Sequence, residues 1–269
     1  MILSVFGFGG LVYGLSSIGQ TSSAPSVLPL WLPFVVGGVG LTAFVVRQLL
    51  LQRTDRALLD LRTFKSRTFT LSSAMMALMM MTLLGTIVLL PIYLQTVLHL
   101  EPVVTGLLLL PGGLLMGLLG PVVGRLYDRF GIRKLLVPGA VITSAALWST
   151  TFFKTATSPI WLVLVFHLLL STGLAFVFTP LFTGGLGAVE PKLYSYGSAI
   201  FATTQQLAGA AGVALLVAIL SVRSAALAGA GANAIESTAG GIHTAFLVAA
   251  IVSLVAIFGA FLIKTPAND

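Results

Sequence analysis

Charged and apolar residues occupy separate stretches of this chain. Eight apolar runs stand out, over about 2–18, 30–51, 69–98, 103–126, 134–153, 159–181, 196–221 and 242–263, and most Lys and Arg residues fall between them. An α-helix needs about 20 apolar residues to cross the hydrocarbon core of a bilayer. Strands of a membrane barrel would instead alternate in segments of about ten, and these runs are too long and too continuous for that. The pattern predicts an all-α membrane protein with eight transmembrane helices.

The basic residues orient the spans. Arg47, Arg53, Arg56, Arg62, Lys65 and Arg67 lie between the second and third runs, Arg125, Arg129, Arg133 and Lys134 between the fourth and fifth, Lys192 between the sixth and seventh, and Lys264 after the eighth. Only Lys154 and Arg223 fall on the other side. Lys and Arg close to a span resist translocation, so the even-numbered connections and both termini are expected in the cytoplasm, with the chain in the cell membrane. Tyr13, Trp31, Tyr93, Trp148 and Trp161 then fall near outer ends and Tyr127, Tyr194 and Tyr196 near inner ends, where amphipathic rings prefer the headgroup level.

Composition agrees. The residues are 57% hydrophobic and 8% charged, with a mean hydropathy of +1.08, against roughly 25% charged in soluble domains. The net charge of +7 is explained by topology and anionic lipid, and no nucleic-acid partner is expected. Cysteine is absent, which excludes disulfides and thiolate metal sites. Three His and seven acidic residues are scattered, so neither a metal site nor an enzyme is expected. Met1 to Ile18 has no basic leading segment and no good cleavage site after it, and reads as a span rather than a signal peptide. The connection from Leu51 to Thr68 mixes charge with Leu58, Leu59, Leu61 and Phe64, which suits a short helix in the interface. The Ala-, Gly- and Ser-rich stretch from Arg223 to Gly241 reads as a flexible outer connection.

Val103 to Leu136 carries more than topology. The sequence Gly124-Arg125-Leu126-Tyr127-Asp128-Arg129-Phe130-Gly131-Ile132-Arg133-Lys134 resembles the G-x-x-x-D-R-x-G-R-K loop of the major facilitator superfamily. The run before it, with Pro111, Gly112, Gly113, Gly117, Gly120, Pro121 and Gly124, is similar to the fourteen-helix drug:proton antiporter branch, as are Pro91 to Gln95 and Phe178 to Leu181. The resemblance implies a six-helix C-terminal transporter half over 69–269, two linker helices over 1–52 and a cytoplasmic basic connection over 53–68. A first six-helix half would be missing and would be the partner. It further implies proton-coupled export of lipophilic or cationic small molecules by alternating access. The energy source would be the proton gradient, and no cofactor is needed.

Several residues offer chemistry. Asp128, with Gly124, Arg129, Gly131, Arg133 and Lys134, is placed to face the positive end of the fifth helix, a contact worth roughly 0.3–1 kcal/mol when exposed. The resemblance implies that this loop is a conformational latch; the alternative is a solvated turn that only sets topology. Gly113 and Gly117, then Gly120 and Gly124, have the small-xxx-small spacing of close helix contacts, and Pro111 and Pro121 favour bends; the segment is either a flexing, tightly packed element or a statically packed one. His167 lies well inside a span, where an ionisable group is a functional candidate by default; it either handles protons or bonds a neighbouring carbonyl. Gln205 stands on a stripe with Ser198, Ala202, Gly209 and Gly212 that either packs on another helix or borders a substrate cavity. Gln206 and Gln95 are further cavity candidates. No Asp or Glu lies within a span, and the resemblance implies that coupling carboxylates belong largely to the other half. Two rival readings remain: a non-transporting multi-pass assembly protein, and a self-assembling half-transporter.

Overall fold

A computed structural model describes residues 7, 9–11, 13, 14, 29, 31–52, 60–152 and 159–263. Among them, seven helices are long and apolar enough to cross a membrane. They are α1 (Trp31–Gln52), α2 (Arg67–Ile92), α3 (Pro102–Phe130), α4 (Ile132–Ser149), α5 (Ile160–Gly187), α6 (Tyr194–Gly229) and α7 (Ala234–Leu262). The expected span 2–18 lies largely outside the described residues, though Gly7, Gly9 to Leu11, Tyr13 and Gly14 are helical.

Local chemistry sets the boundaries. Asp60 caps a 3-10 turn at Leu61–Lys65, and Ser66 caps α2 by accepting the Phe69 N–H. This short turn is the described part of the expected interfacial helix; 53–59 lie outside the described residues. Pro91, which has no N–H to donate, is followed by a π-helical turn at Tyr93–Val97. Tyr93, expected near the headgroups, is instead 1% exposed within the core. Trp31 and Trp161 do stand exposed near helix ends.

The Arg223 to Gly241 stretch corrects the expectation of a flexible connection. Helix α6 runs to Gly229, a tight turn follows with Gly231 at φ 93, and α7 opens on a reciprocal cap between Asn233 and Glu236. Ser224 Oγ donates to the Ser237 carbonyl at 3.0 Å, tying the two helices. The alanines read as loop-like are strong helix formers, and only the glycines at the turn itself break the run.

Six helices form one bundle. Helix α2 lies along α6 and α5, α4 along α5 and α7, α6 along α7, and α3 along α5. Close approaches rest on glycine: a Cβ on Gly173 would meet Thr143 Oγ1 and, at 2.6 Å, the Thr143 backbone nitrogen, and one on Gly212 would meet the Met81 backbone. Helix α1 packs beside Gly7, Gly10 and Gly14, with Gly10 against Gly37, and among the described residues it meets the bundle mainly through the 3-10 turn.

Gly113, Gly117, Gly120 and Gly124 make no close helix contact among the described residues. A Cβ built on any of them meets nothing within 4 Å, and Pro121 shares their uncovered side. The contact glycine of α3 is Gly112, where a Cβ would collide with the His167 imidazole and come within 2.8 Å of Ser171 Oγ. Adjacent helix positions differ by about 100° in direction, so one step along the chain moves from the seam to open space.

Candidate functional site

The basic loops sit at one end of the bundle, and a cleft of about 400 Å³ lies between α2, α5 and α6 in the half nearer that end, lined by Met76, Phe178, Thr179, Phe182, Thr183 and Gln205. The α6 stripe explains it. Gly209 and Gly212 press against Leu84 and Met81, drawing α6 onto α2. Closer to the basic end, the ring of Phe201 lies between Phe69 and Phe182, with centroids 4.9 Å and 5.6 Å away. Between the glycine contact and this aromatic wedge the helices part, and Gln205 stands at the gap. The stripe therefore does both things its composition allowed: it packs at its glycines and borders a cavity at Gln205.

The cleft is uncharged, with an apolar body and a polar edge. Gln205 is half-buried and forms no hydrogen bond among the described residues, so its amide presents donors and an acceptor together. Thr179 and Thr183, one helical turn apart on α5, add two hydroxyls. This pair was absent from the sequence candidates, although two Thr at i and i+4 in an apolar span are a readable polar stripe. Gln206 is exposed and does not line the cleft. Gln95 is exposed on the π-helical turn, 19 residues beyond Met76 and so roughly 28 Å along the helix.

His167 lies on the seam between α3 and α5. Its Nε2 is 3.0 Å from the Leu109 carbonyl oxygen, and a carbonyl can only accept, so Nε2 carries the proton. Its Nδ1 is buried with no partner among the described residues. Gly112 provides the notch that admits the ring.

In the loop between α3 and α4, Gly131 closes α3 by donating to the Tyr127 carbonyl at 2.8 Å and is the single residue before α4 begins. Its φ of 75 and ψ of 173 fall in a region that essentially only glycine occupies. Asp128 is exposed, forms no ion pair among the described residues, and no side chain caps α4. The cations turn to aromatic rings: Arg129 and Lys134 lie over Phe130 at 5.2 Å and 6.0 Å, and Arg133 over Phe261 at 5.9 Å. Gly124 and Arg125 belong to the uncovered side of α3.

A long-helix bundle with this loop after its second helix has a counterpart among known proteins. The family model of the Major Facilitator Superfamily matches residues 1–213. The chain belongs to the major facilitator superfamily. Among curated superfamily relatives, the "Lincomycin resistance protein LmrB" of Listeria monocytogenes is 39% identical over 93% of this chain and 50% of its own length. A protein of the same name from Bacillus subtilis is 37% identical over 100% of this chain and 57% of its own. The "Multidrug resistance protein B homolog" of Mycobacterium tuberculosis is 29% identical over 71% and 35%. The chain thus spans about half the length of the first two relatives.

Proposed function

We propose that this chain is the C-terminal part of a proton-coupled multidrug exporter, carrying lipophilic or cationic small molecules out of the cell by alternating access. The observation that carries the reading is the Gln205 cleft: an uncharged, aromatic-floored recess with an unpaired amide on one wall of a membrane bundle. Intramembrane recesses of this composition suit amphipathic compounds, and two relatives are named for lincomycin resistance and one for multidrug resistance. In this reading 69–269 is a six-helix half, 1–52 its two linker helices and 53–68 the basic connection, with both termini and the Arg129 loop in the cytoplasm of a cell-membrane protein. The uncovered glycine side of α3 takes the other six-helix half, since the named lincomycin resistance relatives are about twice as long. Asp128 and the loop cations form a latch that is open in this conformation, and the unpartnered Nδ1 of His167 is the acceptor for a transported proton.

The test is drug efflux from cells producing this chain with and without a separately encoded other half. Efflux only with both is expected, with Gln205→Ala weakening drug binding up to about tenfold, the value of one hydrogen bond of ~1.4 kcal/mol. Asp128→Asn is expected to change the inward-to-outward balance measured by cysteine accessibility. Efflux by the chain alone, as a dimer, would favour a self-assembling half-transporter, for which the bare α3 glycines offer a contact. Efflux unaltered by Gln205→Ala would remove the cleft from the transport path.

A further inference from the structure

A second cleft lies at the basic end, outside the transport path proposed above. It measures about 280 Å³ and is formed by the 3-10 turn before α2 and the α5–α6 connection, with Arg62, Lys65, Ser66, Glu190 and Lys192 along its rim. That volume is just below that of drug-sized pockets, and its rim carries three cations, Arg62 already tied to Asp60 at 2.8 Å, against one carboxylate, so lipophilic cations are repelled while a small anionic group fits. Lys65 has no carboxylate partner among the described residues. Ser66 uses its Oγ only to accept the Phe69 N–H, leaving its O–H to donate.

Charged side chains from both segments line this one cleft. Glu190 bonds Lys192 at 2.8 Å on the surface. Its carboxyl is held below the usual range first by that hydrogen bond and charge, and also by Arg62 and Lys65 on the other segment. The location selects the anion's source. Phe69 and Tyr194, within a few residues of the rim, begin the apolar parts of α2 and α6, and Phe64 and Tyr194 are exposed beside it, as rings at a membrane interface are. Val189 and Leu193 supply an apolar floor.

We propose that this cleft binds the phosphate of an anionic phospholipid headgroup, with Lys65 and Lys192 as its principal contacts, and so clamps the connection before α2 to the α5–α6 turn. Basic pockets between helix ends facing an anionic leaflet are suited to this recognition. Glu190 occupies the same rim and competes with the phosphate for Lys192.

The test uses the purified protein in mixed micelles, with pyrene-labelled phosphatidylglycerol as probe and phosphatidylcholine as the neutral reference. Lys65→Ala with Lys192→Ala is expected to weaken phosphatidylglycerol binding about tenfold or more. Arg47→Ala with Arg125→Ala, exposed cations outside the cleft, is expected to leave it unchanged. Glu190→Gln is expected to tighten it several-fold, an outcome that misfolding cannot mimic. Equal losses in the two double variants, or weaker binding in Glu190→Gln, would overturn the site. Displacement of the lipid by equimolar inorganic phosphate would overturn the lipid as its occupant and leave a soluble-anion pocket.

Discussion

Helices α3 and α5 are near twins in sequence terms: 29 and 28 residues, both apolar, both rich in glycine, and packed side by side. Yet 13 of the 28 residues of α5 are buried and only 3 of the 29 of α3. Leu107, Leu114 and Leu118 of α3 are each more than half exposed, whereas Phe166, Leu174 and Val177 of α5 are fully enclosed. Apolarity says that a segment enters lipid; it does not say what it rests against, because lipid tails and leucine are equally acceptable neighbours. What separates the two helices is where their small residues point.

Substitutions at those small residues test the contrast, beginning with the largest effect. Gly173→Ala on α5 sets a methyl against the Thr143 backbone, which cannot swing aside, and should cost about 3 kcal/mol, read as a fall in the denaturation midpoint in detergent. Gly112→Ala on the covered side of α3 meets side chains that can shift, His167 and Ser171, so the expected loss is about 1–2 kcal/mol. His167→Ala removes the tie to Leu109; interhelical hydrogen bonds in membranes average ~0.6 kcal/mol, and a cost of that order is expected with the bundle intact. Gly117→Ala on the bare side should do the reverse, stabilising this chain by about 0.5 kcal/mol through lower backbone entropy in the unfolded state. The same change in a protein carrying a second half against α3 should lower transport. If Gly117→Ala destabilises the isolated chain as much as Gly112→Ala, the two sides of α3 do not differ and the comparison fails.

The limits of reading the sequence follow from the same geometry. Spans are long blocks, so their existence and order for α1 to α7 were evident, as was the short basic turn that holds Gly131. Direction around a helix was not. Gly112 and Gly113 are indistinguishable as letters, and so are Gln205 and Gln206; which of each pair faces a neighbour depends on the azimuth that α5 and α2 impose. Spacing rules compare a residue only with its own helix, which is why Gly113, Gly117, Gly120 and Gly124 looked like a contact and are open. At Arg223 to Gly241 composition misled for another reason, since alanine-rich helix and small-residue loop share an alphabet. Thr179 and Thr183 were within reach of the sequence, their polarity masked by an otherwise uniform apolar run.

Because one residue, Gly131, joins α3 to α4, the adjoining ends of these two rods are tethered within two steps of chain, about 7 Å. Neither rod can slide lengthwise past the other by a helical turn. Whatever engages the bare flank of α3 therefore levers α4 about a common pivot, and the far ends travel most, where the tether has no hold.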